Sequence, residues 1–329
     1  PLTGASWRSV LAECAWAAAQ SATAHGGAHD RLYFVPRPER FVWPGRTIGH
    51  EVPLTIDDRG RDVIGETSSR QLRRLTVRTR AHAPSGPRLF EVDGVLNASE
   101  CAALVSLAEL NGFTRSTVGR GDDCGGAQSC TTPGRRSETA HFDAADALRT
   151  GLLPLLRTLD AVVARLTHVP IDVEPQLGED WQVTRYVAGG RYDAHHDFYP
   201  HGKYDDDPQF RLGRNRLLTF ILFLTEQGDG DGEFTGGALN FPSAGCPPST
   251  FEHTRPDTYD CSCGVTIEPR IGNAAMFYNL QAEGHMAHRP SPANRVDEKS
   301  LHCGCEVFAG TKIIATKWIH NWARIPPTP

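Results

Sequence analysis

"WQVTRYVAGGRYDAHHDF", residues 181–198, is where the chain changes its hydrophobic period. Before it, "DAADALRTGLLPLLRTLDAVVARLTHV" (143–169) reads as helix, with Asp143 as N-cap and Pro154 kinking or splitting the run. From Trp181 onward the period is two, the signature of strands with one face buried. "RLLTFILFLT", "ALNF", "VTIEP", "AAMFYNL", "EVFAG" and "KIIATKWIHNW" continue the series. Further upstream, "RLFEVDGVL" (88–96) reads as a strand and "SECAALVSLAEL" (99–110) as an amphipathic helix stopped at "NG". Helices followed by a run of short strands predict an α+β fold: a double-stranded β-helix, or jelly roll, buttressed by the N-terminal helices.

Successive side chains of a strand point to opposite faces. His195 and Asp197 therefore look one way and His196 the other. An imidazole and a carboxylate make two ligands of a metal site, and His302, just before a later strand, is the candidate third. Two histidines and one carboxylate with other positions open is the arrangement of non-haem Fe(II) oxygenases. "GHMAHRP" (284–290) offers a rival pair, His285 and His288. Ten residues after His302 stands Lys312, among apolar neighbours in "GTKIIATKW". A lysine pointing into a barrel needs an anionic partner, and the distal carboxylate of 2-oxoglutarate would supply one. By alternation Lys312, Ile314 and Thr316 share a face that Lys317 does not.

The rest of the composition narrows the class. A net charge of -5 with interspersed signs excludes a general nucleic-acid binder, and no apolar run approaches a membrane span. The Ala-rich segment 9–24 reads as a short helix (7–23) or the stub of a targeting segment, since the chain begins at Pro1. Nine cysteines fall in local groups: Cys124 with Cys130, Cys261 with Cys263, Cys303 with Cys305. That spacing suits disulfides, and so the endoplasmic reticulum or Golgi lumen, better than structural zinc. "NAS" (97–99) is both a glycosylation sequon and a helix start. A basic segment, 68–87, ends in turn chemistry and places a boundary near 86. Residues 1–86 form an N-terminal extension and 87–329 the main domain. "GRGDDCGGAQSCTTPGRR" (119–136) and residues 201–215 are long loops expected to close over a substrate.

"YVAGGRYDAHHDFY" resembles the first metal-ligand strand of the prolyl 4-hydroxylase group of 2-oxoglutarate/Fe(II) dioxygenases, whose pattern runs Y-x-x-G-x-x-Y-x-x-H-x-D. "RLLTFILFLTE…GGALNFP" and "SLHCGCEVFAGTKIIATKWIH" are similar to that family's later segments, and the likeness spans residues 88–325. The resemblance implies that His195, Asp197 and His302 bind iron and that Lys312 and Tyr186 hold the tail of 2-oxoglutarate. It places Tyr192, Arg216, Trp318 and His320 along a peptide groove. The family's co-substrate threonine is Leu239 here, with Thr219 as a candidate replacement. Ile313 and Glu306 also depart from the family pattern.

The implied chemistry couples decarboxylation of 2-oxoglutarate to hydroxylation of a C–H bond, with ascorbate as reductant. The leading expectation is peptidyl proline in a proline-rich segment, because polyproline II offers a preformed shape to aromatic grooves. The alternatives are another residue type, a free amino acid, or a jelly-roll binding module without catalysis.

Overall fold

The computed structural model describes residues 43, 45, 47–57, 72–82, 84–119, 129–172, 177–200, 210, 213–228, 233–245, 261–281 and 296–321. The chain divides into two compact units, Pro1–Arg40 and Phe41–Pro329, and all described residues belong to the second. The possible helix at 7–23, Cys124, and the rival pair His285 and His288 lie outside the described residues.

Strands β1 (Glu51–Asp57), β2 (Leu72–Ala81) and β3 (Leu89–Asp93) lead to helix α1 (Ala98–Asn111). Four two-residue strands follow: β4 (Thr114–Arg115), β5 (Val118–Gly119), β6 (Ser129–Cys130) and β7 (Arg135–Arg136). Then come β8 (Glu138–Phe142), α2 (Ala144–Arg149) and α3 (Leu153–Thr167). The second half holds β9 (Trp181–Val187), β10 (Arg191–His195), β11 (Arg216–Phe223), β12 (Phe234–Gly236) and β13 (Leu239–Phe241). Last are β14 (Val265–Ile267), β15 (Ala274–Tyr278), β16 (His302–Gly304) and β17 (Val307–His320).

Local chemistry explains the helices. Asn97 caps α1 through a reciprocal box with Glu100, and Gly112, at φ 83°, ends it. Asp143 caps α2 with Asp146 in the same way. Pro154 splits the expected long helix, because it sits in the first turn of α3, where a missing N–H costs nothing.

The strands form two main antiparallel sheets, as a jelly roll requires. The larger has the order β1-β2-β3-β15-β11-β17-β9-β8-β4, with β12 also paired to β17. The smaller runs β14-β13-β16-β10-β7. Between them lies an apolar layer with Ile221, Phe223 and Ile314 from the larger sheet and Leu239, Phe241 and Ile267 from the smaller. On the other face of the larger sheet, Phe220, Leu222, Ile313 and Ala315 share a cluster with Leu104 and Leu107 of α1 and Leu159 and Val163 of α3.

Three expectations change. The boundary near 86 falls between β2 and β3, which are paired neighbours, so β1 and β2 extend the main sheet. Within the basic segment, Leu72–Ala81 is strand β2, whose Leu75, Val77, Thr79 and Ala81 are buried in alternation with more exposed neighbours that include Arg78 and Arg80. "EVFAG" and "KIIATKWIHNW" are one 14-residue strand, β17. Gly310, at φ 78°, lets that strand pass from β12 to β9 without a break. Among the described residues no helix is long and apolar enough to cross a membrane.

Candidate metal centre and its cavity

β10 and β16 bring the metal-ligand candidates together. His195 pairs directly with His302 across the ladder, while Tyr192 pairs with Gly304. Three steps along β10 thus match two along β16, which places a bulge in β10. The bulge puts Tyr192 and His195 on one side, their rings stacked with centroids 3.7 Å apart, where strict alternation would separate them. The strand ends at His195, so Asp197 takes its place from the turn that follows rather than from pleat alternation.

The donor atoms of His195, Asp197 and His302 lie within 4.8 Å of one another. Each histidine Nε2 stands 3.6 Å from a different oxygen of Asp197. Each Nδ1 bonds a backbone carbonyl: His195 that of Asp193 at 2.8 Å, His302 that of Ser300 at 2.9 Å. This fixes the tautomer and leaves both Nε2 lone pairs facing Asp197. Burial holds both imidazole pKa values down, His195 further lowered by His302. Burial alone would raise the Asp197 pKa, but beside neutral imidazoles Arg216 and the Thr219 hydroxyl still favour the ionised carboxylate. Neutral imidazoles and an ionised carboxylate are what a divalent cation requires. The set fits Fe(II), which these three side chains would hold beside the cavity.

Asp197 is itself held. Its Oδ2 accepts from the Thr219 hydroxyl at 2.7 Å, and Thr219 Oγ1 accepts from Asn279 Nδ2 at 2.9 Å. Thr219 is fully buried and does not line the cavity, which corrects its assignment to the co-substrate. His196 is not in the ligand group: its Nε2 is 3.0 Å from the Glu298 carbonyl and its ring lies against Phe198, although it too lines the cavity.

The three candidate ligands line a cavity of about 690 Å³. Lys312, Ile314, Thr316 and Trp318 of β17 all line it, whereas Lys317 turns outward to Asp160 at 3.4 Å. Lys312 is 3% exposed; its Nζ donates to the Gly237 carbonyl and lies 5.3 Å from the centre of the Tyr186 ring. It has no ion-pair partner among the described residues, and burial lowers its pKa to about 8. Leu239 lines the same cavity, an apolar wall where the family places a hydroxyl.

Of the expected groove residues, Tyr192, Arg216 and Trp318 line the cavity. His320 does not: its Nε2 is 2.9 Å from Glu179 Oε1. Glu179 also takes a two-pronged bond from Arg216, at 2.6 and 2.8 Å. Burial opposes the Glu179 charge, yet Arg216 and His320 bring its pKa to about 2. The Arg216 guanidinium covers the Trp318 ring at 4.0 Å and donates to the Asp197 carbonyl at 3.3 Å. Glu179, Asn279 and Arg135 were not legible as site residues. The only hint for Glu179 was that buried Arg216 and His320 would need an acidic partner.

Near the centre, Cys261 pairs with Cys305, Cα–Cα 6.2 Å, and Cys303 is a buried free thiol. The bridge therefore crosses between the two CxC segments rather than closing within either.

The chain is similar in sequence to known proteins. The profile of the 2OG-Fe(II) oxygenase superfamily matches residues 181–320. Prolyl 4-hydroxylase 2 of Arabidopsis thaliana is 32% identical over 238 residues, 72% of this chain and 68% of that protein. Among solved structures, the viral collagen prolyl hydroxylase of Paramecium Bursaria Chlorella virus-1, in its 2OG complex, is 21% identical with a TM-score of 0.43. That match covers 70% of this chain and 95% of that one.

Proposed function

Because this chain belongs to the prolyl 4-hydroxylase-type family of 2-oxoglutarate/Fe(II)-dependent dioxygenases, we propose that it hydroxylates proline at C4 within a proline-rich peptide. The enzyme class and its cofactors, Fe(II) and 2-oxoglutarate with ascorbate as reductant, follow from that membership. The observation that carries the reading is Lys312: a buried ammonium without a carboxylate partner among the described residues, sharing one cavity with His195, Asp197 and His302.

The residues divide the work. His195, Asp197 and His302 would hold Fe(II), and Lys312, beside the Tyr186 ring, would pair with the distal carboxylate of 2-oxoglutarate. The bound cofactors supply the oxidising chemistry, converting 2-oxoglutarate and dioxygen to succinate and carbon dioxide and leaving a hydroxyl on the substrate carbon. Ile221, Phe223, Leu239 and Ile314 give the cavity apolar walls that exclude water. Tyr192 and Trp318 offer flat faces to a polyproline II segment. Arg216, held by Glu179, keeps Trp318 and the Asp197 backbone in position. His320 supports this wall through Glu179 rather than by touching substrate.

A lumenal, secretory setting is part of the proposal, supported by the Cys261–Cys305 pair. The test is incubation with Fe(II), 2-oxoglutarate, ascorbate and air, with proline-rich peptides and free amino acids in parallel. We expect gain of one oxygen atom on peptidyl proline, with one succinate per hydroxylation. Oxygen gain only on free amino acids, or on another residue type, would overturn the proline assignment.

A further inference from the structure

Arg135 differs from the other two cations on the cavity wall. Arg216 is neutralised by Glu179, and Lys312 awaits the co-substrate. Arg135 lines the same cavity at 8% exposure, but its hydrogen-bond partners among the described residues are all uncharged. Its Nε donates to Ser137 Oγ at 3.2 Å, Nη1 to the Thr117 carbonyl at 3.0 Å, and Nη2 to Gln182 Oε1 at 3.2 Å.

A guanidinium has five N–H donors. With three engaged, one hydrogen on each Nη remains without an acceptor among the described residues. Two such donors make a fork that suits a carboxylate, and a buried arginine without a counter-charge is costly until an anion arrives. The fork also stands close to the chemistry. The guanidinium carbon lies 4.6 Å from the centre of the Tyr192 ring, which stacks at 3.7 Å on His195. Arg135 is thus two stacking layers from a metal ligand. An extended peptide advances roughly 3.3 Å per residue, so the anion would belong to a residue within about three of the one that reacts.

We infer that Arg135 is a specificity-determining residue that selects peptides carrying an aspartate or glutamate side chain close to the hydroxylated residue. This rests on the peptidyl-hydroxylase reading above. The rival role is structural, with Arg135 only tying β7 to the Thr117 carbonyl and to β9.

Acetylated and amidated peptides with a single proline, and glutamate or its isostere glutamine at each of about three positions on either side, test it. At the best position the glutamate peptide should show kcat/KM on the order of tenfold higher than the glutamine peptide. That ratio should shrink with salt, fall toward one in Arg135→Gln, and be partly kept in Arg135→Lys. A purely structural role would slow both peptides alike and leave the ratio unmoved. A ratio near one at every position in the unaltered protein overturns the inference, as does Arg135→Gln acting on the KM for 2-oxoglutarate instead. If no peptide is turned over, fluorescence anisotropy of the same peptides on protein loaded with Mn(II) and 2-oxoglutarate decides separately. A glutamate preference in binding supports Arg135 while the hydroxylation reading fails, and equal affinities reject Arg135.

Discussion

β11 and β17 pair along the middle of the larger sheet, and their two faces are built for different ends. The outward face carries Leu218, Phe220, Leu222, Ile313, Ala315 and Ile319, in one apolar cluster with residues of α1 and α3. The inward face carries Thr219, Lys312, Thr316 and Trp318, three of which line the cavity. Burial on the outward face is favourable by itself, because removing apolar surface from water stabilises the fold. On the inward face it is unfavourable unless each polar group finds a partner. Thr219 finds Asp197 and Asn279. Lys312 finds only a carbonyl and a ring until an anion arrives. The outward face thus serves stability alone, whereas the inward face sets ligand-capturing polar groups beside the apolar Ile221, Phe223 and Ile314.

Substitutions should separate the two faces, beginning with the largest effect. Asp197→Ala should abolish turnover and metal-dependent thermal stabilisation while the apo protein still unfolds cooperatively. His196→Ala should retain both, which isothermal titration with Fe(II) under anaerobic conditions would show. On the outward face, Phe220→Ala should cost about 3–5 kcal/mol in denaturant unfolding, yet leave metal affinity of the remaining folded protein unchanged. If it lost affinity in proportion, the faces would not be independent.

Lys312→Met should remove 2-oxoglutarate binding and yet raise the melting temperature of the apo protein at neutral pH. In the fold the ammonium pKa is about 8, against 10.5 for the free group. The folded state therefore binds fewer protons than the unfolded state between these values. The penalty is fully present below pH 8 and fades as the pH rises to 10.5, so the advantage of Lys312→Met should fade over that window. By the same linkage, 2-oxoglutarate affinity of the unaltered protein should fall as pH rises past about 8, because the ligand needs the charged lysine.

Thr219→Val should weaken metal binding roughly 10–100-fold by freeing Asp197 Oδ2, as loss of an outer-shell partner does, and should also lower the melting temperature, because buried Asn279 loses its acceptor. The smallest effect belongs at the sheet's edge. Glu51→Gln breaks a half-exposed pair with Arg78, and should shift stability by under about 1 kcal/mol.

Parts of this arrangement were legible in the chain. His195 and His302 sit on or beside strongly patterned strands, and Lys312 interrupts an apolar run. The inward set Lys312, Ile314, Thr316 lines the cavity as alternation predicts. β2 escaped notice because its arginines mask the alternation of Leu75, Val77, Thr79 and Ala81. They are tolerated there because Arg73 pairs with Glu100, and Arg78 and Arg80 with Glu91. Tyr192 and His195 share a side only because of a bulge, and a bulge leaves no mark in the period.

The sequence by itself pointed to the class of chemistry and to His195, Asp197 and His302 as candidate metal ligands, because residue type and close spacing are local properties. Tertiary structure alone decided that Thr219 serves Asp197, and that His320 backs Glu179 across 141 residues. It also decided that Cys261 bridges to Cys305, and that Arg135 faces the cavity bonded to uncharged partners among the described residues. Each of these depends on which donor meets which acceptor between distant segments. Only packing of the two sheets sets that, and no local pattern encodes it.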